Sequence, residues 1–182
     1  AGEGATAFLA SPSFSVPAGF LAVATPVRLS APDPDVEIRY TLDGSEPGAA
    51  SPLYSGALMV TNRTLRPNQF SAIPTAPGWQ PPLGFVFKGT VIRARAFRAR
   101  SIPSVVATAT YFVHPAGRGR YSLPVVSLAT DPANFFDADT GIYVPGRAEG
   151  GNYAQAGDAW ERPVHVEFFE TNGVRVLAQE SG

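Results

Sequence analysis

Apolar and polar side chains alternate through residues 36–42. Val36, Ile38, Tyr40 and Leu42 fall on one side of an extended chain, and Glu37, Arg39 and Thr41 on the other. A period of two is that of a half-buried antiparallel strand. Asp43 tolerates left-handed backbone and Gly44 lacks a Cβ, so the chain can reverse directly after the apolar run, and Pro47 discourages further strand. Residues 91–97 alternate in the same way. Ile92, Ala94 and Ala96 are expected to face a core, with Val91, Arg93, Arg95 and Phe97 on the other face and the arginines in solvent, where they discourage edge-to-edge pairing. Residues 105–113 form a further strand, with Tyr111 and Phe112 near its end, and residues 57–60 a shorter one. Two strand pieces are expected at 20–24 and 27–30, separated by Pro26, with Val27 and Leu29 pointing inward.

Farther along, residues 125–128 read as a strand. Residues 131–136 form one helical turn, with Asp131 as N-cap and Pro132 at the first helical position. Residues 164–168 and 174–177 alternate on either side of Thr171, Asn172 and Gly173. Asn-Gly between alternating runs is the strongest short hairpin signal. An unpaired edge of this hairpin is a possible surface for association with a second copy of the chain.

The 182-residue chain has 18 glycines and 18 prolines, above the ordinary usage of about 7% and 5%, and they interrupt nearly every candidate helix. The fold class expected is therefore all-β, a sandwich followed by a smaller, mostly β segment. With 45% hydrophobic residues the chain has enough apolar surface to fold. A net charge of −1 gives no long-range field for nucleic acid or an anionic membrane, and no run reaches the ~18 apolar residues of a membrane span. Thirteen arginines against a single lysine are dispersed, which reads as codon preference rather than a phosphate site. Cysteine is absent, which excludes disulfides and thiolate chemistry. No basic and apolar leader of the secretory type precedes Ala1, so such a signal is expected to be missing or already removed.

Several short motifs resemble the chitobiase/β-N-acetylhexosaminidase C-terminal module. They are Pro12-Ser-Phe-Ser15 with Gly19-Phe20, Val27-Arg-Leu-Ser30, Ile38-Arg-Tyr-Thr-Leu-Asp-Gly-Ser-Glu-Pro47, Ser51-Pro-Leu-Tyr-Ser-Gly56, Val91-Ile-Arg-Ala-Arg-Ala-Phe97, and Pro103-Ser104 before Thr110-Tyr-Phe112. The resemblance covers roughly residues 11 to 113 and rests on the order and spacing of the pieces together. It implies an immunoglobulin/fibronectin III-like β-sandwich of secreted bacterial proteins, hence an extracellular, cell-surface or periplasmic location. Leu123-Pro-Val-Val-Ser-Leu-Ala-Thr-Asp-Pro132, Phe136-Asp137 with Thr140-Gly-Ile-Tyr-Val144, and Trp160-Glu-Arg-Pro-Val-His-Val-Glu-Phe-Phe-Glu170 resemble the opening of CotH-type, spore-coat kinase-like proteins. That kinase core lies mostly downstream of the resembling segments, so the resemblance assigns no catalytic residue here. The expected division is a leader at 1–11, the sandwich at 12–114, a linker at 115–120 and a truncated CotH-like start at 121–182.

Candidate chemistry is sparse. Residues 62–88 form a loop of unusual length, with Phe70, Trp79, Phe85 and Phe87 among five prolines. Its aromatics either cap the sandwich or offer Trp79, Phe70 and Phe85 as a platform for sugar rings, which makes a polysaccharide or cell-surface glycan the candidate partner. Asp137 and Asp139 before Gly141 resemble the start of a calcium loop, although the glycine arrives one position early. No cofactor is expected. His165, between Val164 and Val166, reads as a surface or second-layer residue, and the pairs Glu161/Glu167 and Glu167/Glu170 follow from strand alternation rather than glycosidase geometry. Two functions follow: a non-catalytic module that spaces or presents a CotH-like domain, or a carbohydrate-binding module. A third, ATP-dependent protein kinase activity, would belong to a longer parent protein.

Overall fold

The computed structural model describes residues 8–182. The predicted leader falls partly outside them. Its residues 8–11 lie against the sandwich, where the Leu9 amide donates to the Ile102 carbonyl at 3.1 Å and the Ala10 amide to Asp33 Oδ2 at 2.7 Å.

Among the described residues eleven strands follow in order: β1 (Ser13–Phe14), β2 (Gly19–Leu21), β3 (Thr25–Val27), β4 (Leu29–Ser30), β5 (Glu37–Thr41), β6 (Leu58–Val60), β7 (Thr90–Phe97), β8 (Ala107–Val113), β9 (Val125–Ala129), β10 (Val164–Phe169) and β11 (Arg175–Ser181). One four-stranded layer has the order β2-β8-β7-β5, with β2 parallel to β8 and the other pairs antiparallel. Facing it are the ribbons β1-β4 and β3-β6. Val27, Val60, Ile92, Ala109, Tyr111 and Val113 form one buried cluster between these layers. Leu29, Ile38 and Ala94 form a second, flanked by Phe14, Tyr40 and Tyr54. The predicted inward positions of 27, 29, 38, 92 and 94 are those of the core, because a pleated strand sends alternate side chains to one face. The result is an all-β, immunoglobulin/fibronectin III-like sandwich.

Pro26 does not separate two strands but lies inside β3, opposite Met59. β3 pairs only with β6 and has a free outer edge, the place in a sheet where a residue without an N–H is tolerated.

The larger departure concerns the second face of β7 and β8. Arg93 is 7% exposed, not solvated. A third sheet, of order β11-β10-β9, supplies residues that cover this face. Thr110 Oγ1 and Ser127 Oγ lie 2.7 Å apart, joining β8 to β9. Phe169 of β10 packs edge-on against Phe20 and Phe112, at centroid distances of 5.5 and 5.7 Å. The third sheet alternates opposite to its hydrophobicity: His165 and Glu167 are buried while Val126 and Leu128 are exposed. His165 is thus an interior residue, its Nδ1 2.8 Å from Glu180 Oε1. Glu167 is fully buried and accepts from Arg175 Nη1 at 2.6 Å.

Residues 115–120 contain a 3-10 turn, Gly117–Arg120. Arg118 lies over the Phe20 ring at 5.2 Å and donates to the carbonyls of Tyr121, Leu123 and Glu170. A short helix, α1 (Pro132–Phe136), starts as expected with the Asp131 carboxylate accepting from the Ala133 amide at 2.9 Å. The hairpin β10-β11 turns at Gly173, whose φ of 87° needs a residue without a Cβ. Among the described residues no helix is long and apolar enough to cross a membrane.

The Asp43-Gly44 reversal meets the third sheet directly. Gly44 has φ 93°, its carbonyl accepts from Arg93 Nη1 at 2.9 Å, and a Cβ there would lie 2.5 Å from the Thr130 carbonyl oxygen. Gly44→Ala is therefore expected to cost on the order of 1–3 kcal/mol through backbone strain and to separate this turn from Thr130. A lowered thermal midpoint with faster exchange of amides around residues 127–131 checks this; an unchanged melt refutes it.

Candidate functional site

Between the turn after β5, the 62–88 loop, the outer part of β7 and β8, and the segment from β9 to α1 lies an open cleft of about 890 Å³. Pockets that bind small ligands fall in the range of about 300–1,000 Å³.

The loop that borders the cleft is ordered by a few polar side chains. Asn68 Nδ2 donates to the Gly84 carbonyl at 2.9 Å, and Asn68 Oδ1 accepts from the Val86 amide at 3.2 Å and from Lys88 Nζ at 2.9 Å. Lys88 Nζ also donates to the carbonyls of Val86 and Thr64. At the start of the loop Asn62 Oδ1 accepts from the Thr64 amide and hydroxyl, an Asx turn, and the Arg66 amide donates to the Arg63 carbonyl at 3.0 Å. The loop is thus tied across its base by one asparagine and one lysine.

Phe70 begins a 3-10 turn, Phe70–Ala72, and stacks on Phe136 of α1 with centroids 5.3 Å apart and planes 12° apart. Phe136 and Phe135 in turn meet Tyr143. The cleft is therefore closed on one side by the sandwich's loop and on the other by the C-terminal part. Phe70 remains 44% exposed and lines it.

The three aromatics of the predicted platform do not converge there. Trp79 and Phe85 are not among the residues lining the cleft, and Phe85 is 59% exposed. Phe87 turns toward the 115–121 segment, 6.0 Å from His114 and 6.3 Å from Tyr121, with the Arg120 guanidinium over its ring at 4.5 Å. Arginine over aromatic faces is a favourable arrangement.

Asp137 and Asp139 sit in the turn after α1. Asp137 Oδ1 accepts from the Asp139 amide, the Thr140 amide and the Thr140 hydroxyl, and these bonds hold its carboxyl below the usual carboxylate range. Asp139 takes Arg147 Nη1 on both oxygens at 2.8 Å. Asn152, buried behind them, donates to the carbonyls of Ala138 and Gly141 and accepts from the Ala148 amide. Among the described residues no group of three or more acidic, histidine or cysteine side chains is arranged to hold a metal ion. Glu167 is buried while Glu161 and Glu170 are exposed, so neither carboxylate pair converges on a common space.

Perturbed acidities are found at Asp43, in the cleft wall, and at Tyr111, in the sandwich core. At Asp43 burial alone would raise the carboxyl, but bonds from the Ser45 hydroxyl and amide outweigh it and the net effect is downward. Burial, with the Glu167 carboxylate adding to it, pushes the Tyr111 hydroxyl above its ordinary value, so it stays a neutral donor to the Val16 carbonyl at 2.8 Å.

Sequence reasoning singled out Phe70 through the length of its loop. It did not find Arg63, Arg66 or Phe136 as cleft residues. The first two belong to the same loop, and their nearness to each other was the available signal; Phe136 comes from an element more than 60 positions away.

Asn68→Ala removes three bonds that cross the base of the loop. At about 0.5–1.5 kcal/mol net for each, the loss is expected to loosen residues 62–88 before the sandwich melts. Hydrogen exchange that rises in this loop while β7 and β8 stay protected is the outcome to look for, and uniform protection would contradict it.

Comparison with known protein families matches residues 27–111 to the family described as Fn3 associated, a stretch running from the end of β3 to Tyr111 in β8. It lies within the part of the chain that resembles the chitobiase module, and it supports a β-sandwich module there. No curated protein and no solved structure matches the chain.

Proposed function

We propose that this chain acts as a non-catalytic β-sandwich module outside the cell that holds a CotH-like domain, beginning near residue 121, at a fixed orientation. The observation that carries this reading is the aromatic seam between the sandwich and the third sheet. Phe20, Phe112, Tyr121 and Phe169 contact one another at centroid distances of 5.1–6.0 Å, with Arg118 over two of the rings. A spacer that transmits orientation must resist bending between its parts, and a packed seam resists it where a glycine-rich tether would not. The resemblance of residues 121–182 to the start of CotH-type proteins supplies the domain that follows, and the secreted company of the resembling module supplies the location. Kinase activity would reside in that following domain.

In the intact chain, backbone relaxation is expected to give one correlation time for the amides of β7, β8, β10 and β11. Phe169→Ala, a fully buried ring, is expected to cost about 3–5 kcal/mol and to let the third sheet tumble separately while the sandwich persists. Two correlation times in the unaltered protein would refute the spacer reading.

A second reading, carbohydrate binding beside the 62–88 loop, is favoured by the exposed Phe70 ring on the wall of an open cleft of suitable size. Electrophoresis through gels containing soluble polysaccharides tests it. Retardation by at least one polysaccharide is expected, with about tenfold weaker affinity, or about 1.4 kcal/mol, in a folded Phe70→Ala variant. Trp79→Ala reports whether the surface extends past the cleft. Unretarded migration in every gel refutes the reading.

A further inference from the structure

Three cationic side chains line the cleft, and their partners divide them. Lys88 is held by Asn68, Val86 and Thr64, a bracing role within the loop. The guanidinium groups of Arg63 and Arg66, in contrast, make no hydrogen bond or ion pair with any described residue. Arg93, Arg95, Arg118, Arg147, Arg162 and Arg175 all have partners.

Arg63 and Arg66 sit on one braced turn. The Asn62 Asx turn fixes its start and the Arg66 amide bond to Arg63 closes it, so the two side chains leave the backbone close together toward the same cleft. The sole carboxylate in the cleft lining is that of Asp43, already engaged by Ser45. In a chain of net charge −1, this makes the cleft a local cationic feature. Low-dielectric walls focus such a field.

The remaining lining is of three kinds. Phe70 on Phe136 gives an aromatic surface, Leu42, Met59, Val126 and Leu128 an aliphatic one, and Thr61 and Gln69 add a hydroxyl and an amide, whereas the Ser127 and Thr130 hydroxyls are bonded within the protein. A ligand matching these features carries carboxylates for bidentate guanidinium contacts, a face of C–H groups for the apolar wall, and hydroxyls for the polar side chains. We propose that the cleft binds an acidic polysaccharide of the polyuronate class, with Arg63 and Arg66 as its carboxylate anchors. This inference rests on the carbohydrate-binding reading and narrows it to a substrate class. Because the walls come from both the 42–91 region and the 126–136 region, the ligand grips both parts of the molecule at once.

Calorimetric titration of the full chain tests this, with oligogalacturonate as the acidic probe, a neutral chitin oligomer of equal length and polyglutamate as comparisons. Oligogalacturonate is expected to bind, to weaken as salt is raised from low to near-molar levels, and to lose at least tenfold in Arg63→Ala/Arg66→Ala. Arg63→Lys/Arg66→Lys is expected to restore part of the loss, since it keeps the charge without the planar fork. Arg28→Ala, which removes one positive charge outside the cleft lining, should leave binding intact, and Arg63→Ala alone, which removes one inside it, should not. If the chitin oligomer binds as tightly and depends on Phe70 but not on Arg63 and Arg66, the acidic class is overturned while carbohydrate binding stands. If neither saccharide binds, the acidic class is overturned, and carbohydrate binding falls with it when no polysaccharide gel retards the chain either. Polyglutamate binding as strongly and competing for the site would overturn the saccharide assignment.

Discussion

The packing of the third sheet on the second face of β7 and β8 is the constraint on which the rest of the molecule depends. These two strands serve two layers at once. Ile92, Ala94, Ala109 and Tyr111 face the sandwich core, while Arg93, Thr108, Thr110 and Phe112 face the third sheet. Strands buried on both faces usually carry continuous apolar runs. Here the second layer is largely polar, and its burial is costly: Arg93 Nε, Thr108 Oγ1, His165 Nε2 and Glu167 Oε2 are buried without a hydrogen-bond partner among the described residues. Each such group costs about 1–3 kcal/mol if nothing satisfies it. The pair Glu167–Arg175 does little to offset this, since a buried ion pair often gains no more than its desolvation removes. The aromatic cluster at one end of the layer is the favourable part. Each of its ring pairs adds about 0.5–1.5 kcal/mol beyond area burial, which is why Phe169, fully enclosed between Phe20 and Phe112, holds the position that matters most.

The cleft is a consequence of that packing. Its floor is the edge where β8 meets β9, its far wall is α1, and its near wall is the loop that joins β6 to β7. Were the third sheet displaced, Phe70 would lose Phe136 and the loop would keep only the bracing that Asn68 and Lys88 give it. The Gly44 turn shows how close the approach is, since no side chain fits between it and Thr130.

Alternation made the sandwich legible. Val27, Leu29, Ile38 and Ile92 point where period two places them, and the capped turn at Asp131 and the Asn-Gly hairpin follow from local chemistry alone. What alternation does not carry is which face meets water. In β7 it separates arginines from small apolar residues, but whether the arginine face is solvated depends on strands more than 30 positions later. In β10 the same reasoning fails more sharply, because Val164 and Val166 lie outside and His165 and Glu167 inside. The site was legible in part for a related reason. A loop of 27 positions with aromatics marked residues 62–88, whereas the spread of arginines along the chain hid the two that a single turn brings together.

The aromatic seam and the cleft then follow from one arrangement. A seam that fixes the third sheet against the sandwich also fixes the distance between Phe136 and the turn bearing Arg63 and Arg66. The two readings of function are therefore not independent alternatives at the level of structure. A ligand bridging both walls stabilises the docked state by the free energy of its binding, because the undocked state lacks half of the site. Any force that parts the sheets must likewise dismantle the cleft. The polar layer between them suits such a coupling: it fixes one register through the Thr110–Ser127 contact and the close approach of Gly44 to Thr130, yet contributes little net attraction of its own. An interface made only of aliphatic side chains would hold more tightly and depend less on what occupies the cleft.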